Sequence, residues 1–460
     1  MISKKKLSTL AVSLMTTMIF TGCGKKIVDY NIDSAENIQS GYDSYDTDDN
    51  AGLKVKLGVP DSYKYSFDLD DTGLSELNIN VNDIEVPSTD RMSIVYVNKN
   101  SYTNEQKKNL CEKIYDESQG IYLYDIDNQP VYVLEDIIES YENCKKTATD
   151  TDVINWCDDT IRDYKSQLAT APDEYESAGD YSSDHFVGTI GDKQFMLYIS
   201  SDDGANYFSL QFLEDVMEYK PYEGAINGLC YSAEYSQSLE DDTVNLCSLS
   251  SDNAEGKAEE FLENVGISNY VLTGIDDLAW EYTNFDEEYV GTIIDGYVVK
   301  FSRGIGNESI YDANVGNVDN MQFNDGWFEL PSETYTIYVD DNGILGAFCY
   351  DLMSPTGETE ENVELLTWEQ LIEKSKETIP EYYKKYPSQY KDIEFNDVRL
   401  TYYIDTDSSK DGQFMYIPVW VFSQYSDENS LQQVVILDAR NGSALDLPDI
   451  AKQMGCYHTY

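Results

Sequence analysis

Tyr416-Ile417-Pro418-Val419-Trp420 and Val435-Ile436-Leu437-Asp438-Ala439-Arg440-Asn441-Gly442 are two apolar runs, the second closed by an Asn-Gly pair. Runs of β-branched and aromatic residues bounded by turn residues read as strands. Asn-Gly tolerates the positive φ that a tight turn needs. Working outward, strands are expected near 398–404, 414–422 and 432–438. A helix precedes them. Thr367 and Gln370 form a capping box, and Trp368, Leu371, Ile372, Ser375 and Ile379 share one face. Pro380 is expected to break or kink that helix. The same order occurs earlier in the chain. Asp252 caps a helix with Glu255 as its box partner, Ala258, Phe261, Leu262 and Val265 line one face, and Gly266 ends it. Strands near 270–274, 292–303 and 334–339 follow, and the last turns at Asp340-Asp341-Asn342-Gly343. The Asn342-Gly343 and Asn441-Gly442 turns stand 99 residues apart. Each helix has one apolar stripe and each strand set alternates, so neither buries its face alone. Two tandem helix-on-antiparallel-sheet units are therefore expected, over 251–355 and 356–460. A further pair, Asn227-Gly228, falls outside this pattern.

The closing hairpin, with Pro418-Val419-Trp420 and Asp438-Ala439-Arg440-Asn441-Gly442, resembles that of PepSY-like units, small helix-on-sheet modules of bacterial envelope proteins. The likeness covers the last 100 or so residues well and 252–353 loosely. The whole chain also resembles a lipoprotein family of Gram-positive gut bacteria, in which Leu77 to Pro87 looks familiar. This resemblance implies an inhibitory, regulatory or binding role and supplies no catalytic residues.

Residues 53–250 read as a mixed αβ region, which makes the whole an α+β chain. Tyr63 to Phe67 and Leu77 to Val81 alternate, Ile84 to Val86 ends at Pro87, and Ser93 to Val97 is a further strand. Thr103 with Gln106 caps a helix bearing Leu110, Cys111, Ile114 and Tyr115. A short strand from Ile121 to Tyr124 and two helices follow, with faces Leu134-Ile137-Ile138-Tyr141 and Ile154-Cys157-Ile161-Tyr164-Leu168. A meander then runs through 185–190, 194–199 and 207–213, with Gly191-Asp192 and Asp203-Gly204 as its turns.

The start of the chain is an address. Lys4, Lys5 and Lys6 precede an apolar run from Leu7 to Phe20, interrupted by Ser8, Thr9, Ser13, Thr16 and Thr17. That run is too short and too polar for a membrane span and has the form of a signal segment. Phe20-Thr21-Gly22-Cys23 resembles the lipobox of bacterial lipoproteins, with Phe20 in place of the usual Leu and Thr21 in place of Ala or Ser. The resemblance implies removal of residues 1–22, palmitate-type acylation of Cys23, and a mature chain anchored to the cell membrane and facing outward. An uncleaved helix and a secreted chain without lipid are the alternatives. Residues 23–52 are polar and acidic and read as a flexible tether.

The 460-residue chain carries a formal net charge of −55, and loss of Lys4, Lys5 and Lys6 takes it to −58. Such a surface repels phosphate backbones and excludes nucleic acid as a partner. It is not the composition of a disordered chain, because 41% of residues are hydrophobic and 39 are Tyr. Tyr serves as half-buried strand filler or as an adhesive sheet face for sugar rings or peptides. Seven cysteines remain besides Cys23, an odd number. No CxxC and only two histidines accompany them, so a zinc site is not expected. Cys144 and Cys157 lie on consecutive helices, and Cys230 and Cys247 flank one acidic loop, so either pair is a candidate bridge.

Most catalytic motifs fail. There is no HExxH and no GxSxG, and His185 and His458 stand 273 residues apart. Ser388-Gln389-Tyr390-Lys391 and Ser251-Asp252-Asn253 match SxxK and SDN in reversed order, without KTG. Gly304-Ile305-Gly306 lacks the third glycine of a nucleotide loop. Asp405, Asp407 and Asp411 form a Ca²⁺ candidate with oxygens at alternating positions. Lys410 stands where an EF-hand needs glycine, and an ordinary acidic turn is the competing reading. The Asn- and Gly-rich segment 304–331 reads as a long loop, with Phe323, Trp327 and Phe328 as candidate contacts for a partner. The expected function is that of a surface-anchored, non-enzymatic lipoprotein that binds a protein, peptide or glycan or regulates an envelope process. A glycosidase-like hydrolase using paired carboxylates and a structural envelope component are the alternatives.

Overall fold

The computed structural model describes residues 52–69, 72–148, 151–200, 207–213, 227–232, 243–283, 289–312, 322–323, 326–406, 413–426 and 431–459. Among the described residues seven helices, with 27% helix and 41% strand, make it an α+β fold. The first elements are α1 (Leu53–Lys56), β1 (Tyr63–Ser66), β2 (Glu76–Val81), β3 (Ile84–Glu85), β4 (Ile94–Lys99), α2 (Asn104–Ile114) and β5 (Ile121–Leu123). Next come α3 (Val131–Thr147), α4 (Thr151–Gln167), β6 (His185–Ile190), β7 (Lys193–Ser200), β8 (Tyr207–Phe212), β9 (Asn227–Ser232) and β10 (Val244–Asn245). The first expected unit holds α5 (Ser251–Val265), β11 (Tyr270–Thr283), β12 (Tyr289–Ile305), β13 (Glu308–Ser309), β14 (Gln322–Phe323), β15 (Gly326–Phe328), β16 (Thr334–Asp340) and β17 (Gly343–Tyr350). The chain closes with β18 (Met353–Glu360), α6 (Trp368–Lys385), β19 (Asp392–Phe395), β20 (Asp397–Thr406), β21 (Gln413–Tyr425), β22 (Leu431–Asp438), α7 (Leu447–Met454) and β23 (Tyr457–Thr459).

Both expected units have the same local order. After α5, β11, β12 and β16 form an antiparallel meander. After α6, β20, β21 and β22 do the same. The corners also correspond. Asp340 ends β16 and accepts the backbone N–H groups of Asn342 (2.7 Å) and Gly343 (2.8 Å). Asp438 ends β22 and accepts Arg440 N–H (2.8 Å) and Asn441 Nδ2 (2.7 Å). Gly343 and Gly442 both have positive φ, at 137° and 77°, where a Cβ is strained.

The cores do not follow the chain boundaries expected at 250 and 355. One sheet runs β5-β6-β7-β8-β17-β16-β12-β11-β9, so the meander of the N-terminal region continues directly into the first unit. Its core holds Leu110, Cys111, Phe186, Leu197 and Phe208 together with Ala258, Leu262, Phe301 and Ile337. A second sheet, β18-β4-β21-β20-β3, takes two strands from residues before 100 and the rest from beyond 352. Its core unites Leu77, Ile79 and Ile94 with Trp368, Tyr403, Trp420 and Val435. Trp368 and Trp420 meet edge-on at 5.3 Å, which seats α6 on β21. The N-terminal strands are short and expose one side, as the alternating burial of β1 and β2 shows. β1 and β2 pair with β19 in a separate three-stranded sheet, β1-β2-β19, whose apolar side shares this core.

Several local expectations are corrected. The helix expected from Asp252 begins at Ser251, and its cap is Ser250, which accepts from Asn253 N–H at 3.3 Å. Pro380 does not end α6, which runs on to Lys385. The burial of Ile379 and Tyr383 outweighs the one backbone bond that a proline removes. A Cys230–Cys247 bridge is absent, because Cys247 is a thiol. The reason is topological. Cys230 lies opposite Trp280, Trp280 opposite Ile293, and Ile293 opposite Val244 on β10. Three strand spacings, about 14 Å, separate β9 from β10, well beyond the Cα span of a disulfide.

Candidate binding face

A row of aromatic rings crosses five strands of the large sheet. His185 on β6 meets Tyr198 on β7 with ring centroids 4.4 Å apart. Tyr198 meets Tyr207 on β8 at 5.4 Å, and Tyr207 meets Tyr350 on β17 at 5.2 Å. Phe348 stacks on Tyr350 at 6.2 Å and meets Tyr338 on β16 at 5.8 Å. Strand alternation places the whole row on one side. Phe186, Leu197, Ile199, Phe208, Ile337, Ala347 and Cys349 point into the core, so their neighbours in sequence point the other way. Tyr338 roots the row at 5% exposure, while Tyr350 is 38% exposed and His185 is exposed. Tyr198 and Tyr207 are half-buried between them. Such cross-strand neighbours are the unit of sheet stabilisation, and their ring faces also suit a flat ligand. Partial burial draws the imidazole of His185 below its ordinary pKa, and Asp184 pulls it back up. Burial pushes the Tyr350 phenol up to about 12, with Glu329 adding to the rise.

Next to the Tyr350 end lies the joint between the two cores. Glu333 is 1% exposed, and its carboxylate accepts from Arg303 Nε, Tyr335 Oη and Tyr416 Oη, each at 2.8 Å. Arg303 also donates to the carbonyl of Ser268 at 2.8 Å and to that of Met353 at 3.0 Å. Arg303 and Tyr335 belong to the large sheet, Met353 and Tyr416 to the second. Burial opposes the charge on Arg303, and Glu333 more than offsets it, so the guanidinium stays ionised. With both oxygens engaged, Glu333 is a structural tie. Asp351 follows Tyr350 with φ of 52°. It accepts from Ser332 N–H at 2.9 Å and from the Cys456 thiol at 3.7 Å. Burial, with Glu329 and Glu333 nearby, pushes its carboxyl up to about 6.

The residues singled out in the sequence are not brought together. Cys23, Asp407 and Asp411 lie outside the described residues. Asp405 is the penultimate residue of β20 and accepts Thr406 N–H at 2.8 Å, and burial raises its pKa, with Asp438 adding to the rise. Among the described residues no cluster of three His, Cys, Asp or Glu side chains could hold a metal ion. The segment 304–331 is not a loop throughout, because it contributes β13, β14 and β15. Phe323 and Trp327 sit on β14 and β15. Phe328 is 3% exposed and stacks with Tyr457 at 6.3 Å, so it fills the core and offers no free contact surface. The aromatic row escaped sequence reading at the level of residues. Period-2 alternation announces that Tyr198, Tyr207 and Tyr350 face away from a core, but nothing local tells that β8 will pair with β17 and extend the row to Tyr350.

The class of protein defined here is an α+β fold with an aromatic sheet face and a charged tie between two cores. No family profile and no curated protein matches the chain. In structure it is similar to a crystallised uncharacterized protein from Eubacterium rectale, with 12% identity and a TM-score of 0.36. That alignment covers 84% of this chain and 93% of the other. Among the described residues no helix is long and apolar enough to cross a membrane.

Proposed function

We propose that this chain is a lipid-anchored, non-enzymatic binding component of the cell envelope, which presents its aromatic row to a protein, peptide or glycan. The observation that carries the reading is the row His185-Tyr198-Tyr207-Tyr350, with one continuous aromatic surface displayed from four strands. Stacking on such a surface needs flat apolar faces on the ligand, as sugar rings and aromatic or prolyl side chains have. The anchor part of the reading rests on Thr21-Gly22-Cys23 after the apolar run. The PepSY-like resemblance adds support through the two helix-plus-meander units. The hydrolase alternative gains little from Asp351, whose carboxyl burial pushes up to about 6, because both its oxygens are engaged within the fold.

The test is capture from solubilised membrane and wall fractions with the wild-type chain and with a Tyr207→Ser/Tyr350→Ser variant. The variant is expected to lose at least tenfold of the captured partner. Equal capture by both overturns the aromatic row as the binding face. In the same strain, Cys23→Ala is expected to abolish lipid labelling and release the chain, whereas retention at the membrane points to an uncleaved anchor.

A further inference from the structure

We propose that Cys144 and Cys157 are a disulfide-forming pair that staples α3 to α4, closed by exchange with an external disulfide such as oxidised glutathione or an oxidised dithiol protein. The two sulfurs lie 3.3 Å apart, on cysteines 13 residues apart in sequence. A disulfide bond is about 2.0 Å long, so about 1.3 Å of closure joins them. Neighbouring contacts already hold the register of the hairpin. Lys145 pairs with Asp158, and Lys165 pairs with Glu142 at 2.7 Å. The Tyr141 ring meets Trp156 at 5.2 Å and Tyr164 at 6.3 Å. The pair is therefore positioned by four contacts that do not involve sulfur. Cys111 and Cys349 both lie in the large core, where burial pushes the Cys111 thiol up to about 12. Cys247 rests against Leu249 O and Asp341 at 3.9 and 3.8 Å.

The chemistry balances as two exchanges. One cysteine thiolate attacks a sulfur of the oxidant, forms a mixed disulfide and expels one thiolate. The second cysteine thiolate then attacks the protein sulfur of that mixed disulfide, forms Cys144–Cys157 and expels the second thiolate. The two thiol protons pass through solvent to the two expelled thiolates, and the two electrons reduce the external disulfide. Because Cys144 and Cys157 are 1% and 0% exposed, exchange requires the helices to open briefly, and the closed bond is then shielded from reductant. An oxidising location outside the cytoplasm, as in the lipoprotein reading, supplies such oxidants. The pairing itself depends only on the hairpin.

The experiment uses the full chain in a defined glutathione buffer, so its outcome is independent of location and of the aromatic row. After oxidation the chain is quenched and denatured in N-ethylmaleimide, digested and analysed by mass spectrometry. The expected result is a peptide pair linked Cys144 to Cys157, two hydrogens lighter than its reduced parts, with Cys111 and Cys349 alkylated. In Cys157→Ser, Cys144 is expected as an alkylated thiol or a glutathione adduct. Full alkylation of both cysteines in the oxidised wild type, persistent glutathione adducts on both, or linkage of either one to another cysteine overturns the proposal.

Discussion

Asp351 combines two departures from ordinary residue chemistry, a positive φ of 52° and a carboxyl pushed up to about 6. In the unfolded chain the same group ionises near its ordinary value of 3.8. The fold therefore holds the proton more tightly. The stability supplied by that linkage is fully present below the unfolded value and is lost as pH rises through the folded one. Asn keeps the shape, tolerates the left-handed backbone and carries no charge. Asp351→Asn is expected to stabilise the chain by about 1–3 kcal/mol at pH 7. Its advantage over the wild type should grow by about 1 kcal/mol between pH 5 and pH 7. Urea midpoints of both proteins at the two pH values test this, and a difference that stays constant with pH would count against a buried carboxylate.

At the scale of elements, the two helix-plus-meander units end on equivalent acids. Asp340 and Asp438 are 5% and 4% exposed, and each collects the donors of its Asn-Gly turn. Asp438 also holds Arg440 through Nε at 2.9 Å and Nη2 at 2.7 Å. Removing either carboxylate leaves part-buried N–H groups without these acceptors, at about 1–3 kcal/mol. Asp340→Ala and Asp438→Ala should both destabilise within that range in chemical denaturation. Asp438→Ala should be the costlier of the two, since it also leaves the half-buried Arg440 without its carboxylate partner. A neutral Asp340→Ala would mean that the first corner is held by packing alone. These corners were legible in the sequence because Asp-x-Asn-Gly and Asp-x-x-Asn-Gly are local chemistry. The through-running Pro380 was not, because the burial of Ile379 and Tyr383 that sustains α6 comes from strands far along the chain.

On the scale of the whole molecule, the chain is interleaved. β8 pairs with β17 across more than 130 residues, and β2 pairs with β19 across more than 300. A fragment of residues 53–250 would lack β17, the partner of β8, as well as β19, which pairs with β2, and β18, β20 and β21, which pair with β3 and β4. It is expected to show no cooperative unfolding transition by circular dichroism, whereas a sharp transition would establish an independent N-terminal domain. By itself the sequence determined the α+β class, the helices and meanders, the capping boxes of α2 and α6 and the Asn-Gly corners, because hydrophobic period and turn chemistry act within about a dozen residues. Tertiary structure alone decided which remote strands became neighbours, as in β8 with β17 and β2 with β19. It thereby kept Cys230 away from Cys247, buried Phe328 and carried the row of Tyr198 and Tyr207 on to Tyr350. The physical reason is that strand pairing is set by a common core. Apolar faces as remote as Leu77 and Ile393 leave water together only when the chain has folded as a unit.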